Sequence, residues 1–401
     1  MQRKKMLIAV LAIALLVGIV SAATIQYFGQ IQMTANVRQA VLLDGKDYTQ
    51  MPITETPTVA GGEVLYRCHW LQSQTSVPVT VQFQTTYSPE LTDNEIVTEI
   101  LEIFDEAGLV LSYSPPSYNI RVPEQYTTIS AAIEAASSGQ VIGVAMGTYN
   151  EEVTINKEIT LASLDGPGYA TITGGIWITA NNVKVTGFTI NPRIIQGEMS
   201  CIYLNPVLSN IEISFTDLNR GSVTGKAVGV LLGLYGTGAS YSNVRITHNK
   251  IHDLTTGIYT NSHTGIIDIN HNEFSNCAAG VGGATTATIE YNVFHNNYNP
   301  WSSWYEAIGA DNSAAELTIR YNNFLGDDSV AMYGTGWITA YNNWWDCDGI
   351  DTHGNVDASY MIKTDYTLQP GETDWFAIRY KFALDIYPYT YTITTTVKPV
   401  P

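Results

Sequence analysis

The feature that most constrains this chain is a short pattern that returns five times in its second half. It reads VRITHNKI (244–251), IDINHNEF (267–274), ATIEYNVF (287–294), LTIRYNNF (317–324) and ITAYNNWW (338–345). Each copy is a short alternating strand, an aromatic or histidine, an asparagine, one variable residue and a large apolar residue. The repeated asparagines are read at Asn249, Asn272, Asn292, Asn322 and Asn342, so the steps are 23, 20, 30 and 20 residues. Weaker copies lie at 182–191 and 210–219.

A period near 20 that stretches at intervals fits coils of three short strands whose insertions leave through the turns. Alternation places Val244, Ile246, Ile267 and Ile269 on one face. Stacking coils at the ~4.8 Å strand spacing buries those faces in one column. Asparagine at a fixed point of every coil then forms a ladder of side-chain amides, a structural role. The apolar residues at 129, 132, 133 and 136 make one stripe of a short helix. That helix covers the open N-terminal end of the column, which otherwise exposes unpaired strand edges.

On these residues a resemblance can be stated. The segments 126–133, 144–151 and 155–161, with Asn342, Asn343, Trp344 and Trp345 at the far end, resemble the opening and closing coils of pectin-esterase-like and NosD-like proteins of the pectin-lyase-like fold. The resemblance spans about 240 residues. It implies a right-handed parallel β-helix. It does not imply an activity, because enzymes and non-enzymes share those scaffold parts.

Residues 1–23 read as a secretory signal peptide: a basic start (Arg3, Lys4, Lys5), an apolar run from Met6 to Val20, then Ser21, Ala22 and Ala23. The expected location is secreted or at the cell surface, with no membrane span in the mature chain. A formal net charge of −18 argues against nucleic acid as a partner. The four cysteines (Cys68, Cys201, Cys277, Cys347) contain no CxxC pair. Cys277 and Cys347 lie three coil steps apart, roughly 14 Å at strand spacing, too far for a bridge.

The flanks are also β-rich. Val64 to Ser73 and Val77 to Ser88 read as two strands, and Asp374 to Asp385 and Tyr389 to Pro399 as two more. Neither flank alone has enough strands to bury a sheet. Together they make one small antiparallel β-sandwich around an inserted β-helix. The predicted division is residues 1–23 signal peptide, 24–117 the first part of the sandwich, 118–357 the β-helix with its capping helix, and 358–401 the strands completing the sandwich. The stretch from Ala23 to Gly29, the strands after Gly61 and Gly62, and Leu368 to Val397 resemble surface-fibre proteins of the camelysin/TasA type. That resemblance implies self-association by passing an N-terminal strand into a neighbour's sheet.

Catalysis on a sugar needs paired carboxylates, or Ca²⁺ with a basic residue. The one suggestive pair is Asp327 and Asp328, which resembles the Asp-Asp segment of polygalacturonases. The other motifs of that family are missing, and Asp327 occupies the turn slot filled by Asp253, Asn276 and Asn296 in sister coils. His248 and His271 share a coil position with Phe215, Tyr291, Tyr321 and Tyr341, which reads as an aromatic stack. Asp346, Asp348 and Asp351 are candidate Ca²⁺ ligands in a closing turn, although their spacing departs from an EF-hand loop. No other cofactor is expected. Trp301, Trp304 and Tyr305, with Tyr298, fall in the long step between Asn292 and Asn322 and are candidates for glycan or partner contact.

The expectation from sequence is thus an all-β, exported cell-surface protein without enzymatic activity, either a filament subunit or an adhesin. The competing expectation is a carbohydrate-active β-helix enzyme: a polysaccharide lyase, hydrolase or esterase.

Overall fold

A computed structural model describes residues 41–399 except 48–52, 93–94, 105–107, 109–111, 196–197, 234–237, 261–262, 284–285, 300–303, 311–315, 327, 334–336, 347–349, 351, 355, 364–365 and 385–388. The signal-peptide segment and the candidate exchange strand lie outside the described residues. Among the described residues no helix is long and apolar enough to cross a membrane. The chain divides into two compact units, residues 103–361 and residues 1–102 with 362–401.

The larger unit is a right-handed parallel β-helix. The chain visits three faces in turn: Gln140–Val144 on the first, Gly147–Tyr149 on the second, Val153–Ile155 on the third. It then returns to the first face as Ile159–Ser163, which pairs in parallel with Gln140–Val144. Each face grows into a long sheet, twelve-, eight- and eleven-stranded in the same order. Alternation aims Val244, Ile246, Ile267 and Ile269 inward, and all four are fully buried. Inside the column Phe274, Phe294, Phe324 and Trp345 stack with centroids 4.8, 5.2 and 4.5 Å apart.

Such a ring column leaves room for only small residues opposite it. A Cβ added to Gly257 would fall 2.5 Å from the Gly280 carbonyl oxygen and 2.8 Å from the Phe274 ring. At the N-terminal end the helix Ile129–Ala135 buries Ile129, Ala132 and Ile133. Its cap, Thr128, accepts from Ala131 N at 3.1 Å. Glu151 ties it to the first coils by accepting from Ile129 N and Ser130 N at 2.8 and 3.0 Å.

The asparagine ladder runs through the turn between the first and second faces. Asn249 donates to Asn272 Oδ1 at 2.9 Å, Asn272 to Asn292 at 3.0 Å, Asn292 to Asn322 at 3.0 Å and Asn322 to Asn343 at 3.1 Å. The last rung is therefore Asn343 and not Asn342. Thr318 pairs with Thr339, which aligns Asn342 with Tyr321, and both take positive φ (57° and 60°). The same register moves Tyr341 out of the ring stack. The stack itself is Phe215, His248, His271, Tyr291 and Tyr321, with successive centroids 4.9 to 5.2 Å apart.

The compact unit spans residues 103–361, and among its first residues Phe104 and Tyr113 lie against this stack. The Phe104 ring lies 5.5 Å from Tyr321, and its backbone exchanges two hydrogen bonds with the Asn323 amide. Tyr113 covers Phe215 at 5.8 Å and donates to the Ser163 carbonyl. Outward aromatic rings need such a cover, and these two residues supply it.

The smaller unit is an antiparallel sandwich. One sheet runs Lys46–Asp47, Val41–Leu43, Val64–Ser73, Thr373–Phe382, Ile96–Glu102. The other runs Ile53–Glu55, Thr392–Pro399, Val79–Ser88, Thr367–Leu368. Each sheet thus combines strands from both flanks of the chain. Leu71, Val81, Phe376, Ile378 and Ile393 share one core. Within this unit the Lys363 ammonium is buried between Glu102 (3.0 Å) and Asp374 (3.1 Å). Burial alone would lower its pKa, but the two carboxylates outweigh that and hold it above the ordinary lysine value. Cys68 is disulfide-bonded, whereas Cys201 and Cys277 are buried free thiols.

Candidate functional site

The turn from the second face to the third is a tight one in most coils, and its corner takes positive φ at Asp253, Asn276, Asn296, Gly326 and Asp346. Gly326 fills the slot assigned above to Asp327, which itself lies outside the described residues. Three coils depart from the tight turn, the first by a hairpin in which Arg193–Ile195 pairs with residues 198–200, and the later two bound a groove. Of these two, one inserts residues 220–227 after the strand Asp217–Asn219, and the other extends into a hairpin in which Tyr298 pairs with Tyr305. Two tight coils lie between these insertions. The result is an open groove of about 590 Å³.

One wall carries Arg220 and the exposed Lys226, and the other the half-exposed Tyr298. The floor offers Thr255 and the exposed amides of Asn276 and Asn296. Arg220 braces its wall: Nε donates to the Asp253 carbonyl at 2.9 Å and Nη1 to the Gly225 carbonyl at 2.6 Å. Asp253 is held in turn by His252, whose ring bridges Asp253 (2.6 Å) and Asp217 (3.1 Å). The Asp217 hydrogen bond chiefly raises the His252 pKa against burial, with Asp253 adding to it. Burial would raise Asp217, but the His252 and Asn219 bonds outweigh it and lower its pKa.

A second ladder supports the floor from inside. Cys277 N donates to Asn297 Oδ1 at 3.1 Å, and Asn297 N donates to Asp328 Oδ1 at 2.9 Å. Asp328 is only 1% exposed. Its carboxylate is thus a rung beneath the groove, and the structure does not place it as a catalytic group facing a ligand. Burial pushes the Cys277 thiol up to about 12, far from nucleophilic at neutral pH.

Asp346 accepts from Gly326 N at 2.7 Å, which caps a turn. Asp348 and Asp351 lie outside the described residues. No group of three His, Cys, Asp or Glu side chains among the described residues is arranged to hold a metal. Trp301 lies outside the described residues, as do the side chains of Trp304 and Tyr305, while their strand Trp304–Ala310 forms part of the third face.

On that third face the carboxylate of Glu306, 4% exposed, accepts from the Tyr333 hydroxyl above Gly309. Sequence reasoning missed this pair, the His252 network and the Arg220 and Lys226 wall. The available signal was the 220–227 insertion itself, which carries two cations in a chain with only 19 lysines and arginines.

No protein-family model and no curated protein matches the chain. Solved structures similar to it include an alginate lyase from Paenibacillus sp. (17% identity, TM-score 0.41, covering 57% of this chain and 96% of that one). Others are the pectate lyase Pel9A (15%, TM-score 0.38, covering 60% and 78%) and the pectin methylesterase of Aspergillus niger (14%, TM-score 0.32, covering 63% and 93%).

Proposed function

We propose that the chain is an exported, carbohydrate-active β-helix protein that takes a strand of acidic polysaccharide in the groove between the 220–227 and 298–305 insertions. The carrying observation is charge: the chain bears −18, yet the charged residues lining this groove are Arg220 and Lys226. A local positive site on an acidic surface selects and orients an anionic chain. Tyr298 supplies a ring for the sugar face, and Asn276 and Asn296 supply hydrogen bonds to hydroxyls. The Cys68 disulfide supports the oxidising compartment that export provides.

Affinity electrophoresis in polygalacturonate and in alginate tests this reading. The expected outcome is retardation of the wild-type protein, a loss of about fivefold or more in affinity for Lys226→Glu, and weakening with salt. Retardation unchanged by Lys226→Glu, or equal in fully methyl-esterified pectin, would sink it. Reducing ends, unsaturated uronides or methanol released in the same incubations would make the protein an enzyme rather than an adhesin.

A second reading, the filament subunit, draws on the smaller unit. Among the described residues the strand Val79–Ser88 is met along its far side by Thr367–Leu368 at Val79 and Thr80 and by the Tyr366 carbonyl at Val81 N. Residues 82–86 thus offer an edge that can receive a strand from another copy. Filaments in negative stain that vanish on deletion of residues 24–40 would establish it, and discrete particles from both proteins would exclude it.

A further inference from the structure

The first face carries a second surface of a different character. Its outward residues run in register from Asp268 through Thr288, Thr318 and Thr339 to Asp357. The three threonine hydroxyls therefore repeat at about 4.8 Å, the strand spacing. Beside them lies a shallow depression of about 290 Å³, whose lining residues are all uncharged. At its margins stand Trp337, 72% exposed, and Ile266, 59% exposed. An indole held out of the core to that degree loses the burial that normally stabilises a tryptophan, and this one lies beside a row of hydroxyls.

We propose that this depression is a binding site for a neutral polysaccharide, separate from the cationic groove. A hexose presents an apolar C–H face and a rim of hydroxyls. The Trp337 ring suits the first, and the Thr288, Thr318 and Thr339 hydroxyls suit the second, each acting as donor or acceptor. Asp268 and Asp357 at the two ends of the row make the setting unfavourable for uronate or sulfate groups. The occupant that matches is an uncharged glycan laid along the helix axis, one coil after another.

Isothermal titration of the full chain with cellohexaose, xylohexaose and mannohexaose tests the assignment. At least one should bind, with affinity falling about tenfold in Trp337→Ala. Thr318→Val, which keeps the side-chain shape, should weaken the same ligand, and Lys226→Glu should leave it unchanged. That last result separates this site from the groove, so either can fail alone. Absence of binding to all three sugars, or binding untouched by Trp337→Ala and Thr318→Val, overturns the proposal. A wild-type dimer in light scattering that Trp337→Ala converts to monomer also overturns it, by assigning the surface to a second copy.

Discussion

Asn272 shows how one side chain holds a coil. Its amide nitrogen donates to Ile246 O at 2.8 Å and to Asn292 Oδ1 at 3.0 Å, while its Oδ1 accepts from Asn249 N at 3.0 Å. The residue before it, His271, sits at φ 53°, which costs a non-glycine residue free energy that the ladder must offset. Asn272→Ala strands several buried donors and acceptors at once. The expected loss is about 2 kcal/mol or more, read from the urea midpoint at unchanged slope. The ladder was legible in sequence because each coil needs the same side chain at the same point. Its last rung was not, since Tyr341 imitates the Tyr321 that precedes Asn322 while standing one residue earlier in the coil. Only the pairing of Thr318 with Thr339 resolves the two.

The insertion at 220–227 behaves as an element with its own support. His252 links Asp217 at its base to Asp253, and Asp253 holds Arg220. A histidine whose folded pKa is raised gives stability that is fully present below its unfolded value, near 6.5, and is lost as pH rises through the folded value. Asp217, lowered on folding, adds stability above the unfolded carboxylate range that is lost in acid. Both contributions coexist from mildly acidic pH up to the raised His252 value. His252→Gln should therefore destabilise the protein most in that window. Wild type and variant should converge at higher pH in thermal melts across a pH series, and a constant difference at every pH would contradict the assignment. None of this was readable from the repeat, because insertions are the places where the period breaks. The β-helix itself was readable because buried alternation and a fixed turn recur. The places of Phe104 and Tyr113 were not, since neither belongs to a repeat and each is set by the ring it covers.

At the scale of the whole molecule the chain leaves its sandwich after Glu102 and rejoins it at Ile362. Both sheets combine strands from the two flanks, so neither flank can fold without the other. The strand Thr392–Pro399 pairs along Val79–Ser88 and contributes Ile393 and Val397 to the core. Deleting residues 389–401 should melt the smaller unit while residues 103–361 stay folded. Limited proteolysis would then leave a resistant fragment of the β-helix and degrade the rest. Simultaneous loss of both units would show that they fold as one. The flanks were readable as paired sheets because each is too poor in strands to close alone. The uncharged face around Trp337 was not, because Trp337 lies one residue before its strand and outside the repeated octet.

The groove is bounded by two insertions three coil steps apart, and each step is one strand spacing, ~4.8 Å. Its width is therefore counted in whole coils and cannot be tuned continuously. Point substitutions can change which groups face the ligand, but a wider or narrower opening requires the gain or loss of an entire coil. Each such change would carry its own rung, ring and corner residue with it. A family of chains built this way would differ in groove size by integers, like settings on a ratchet.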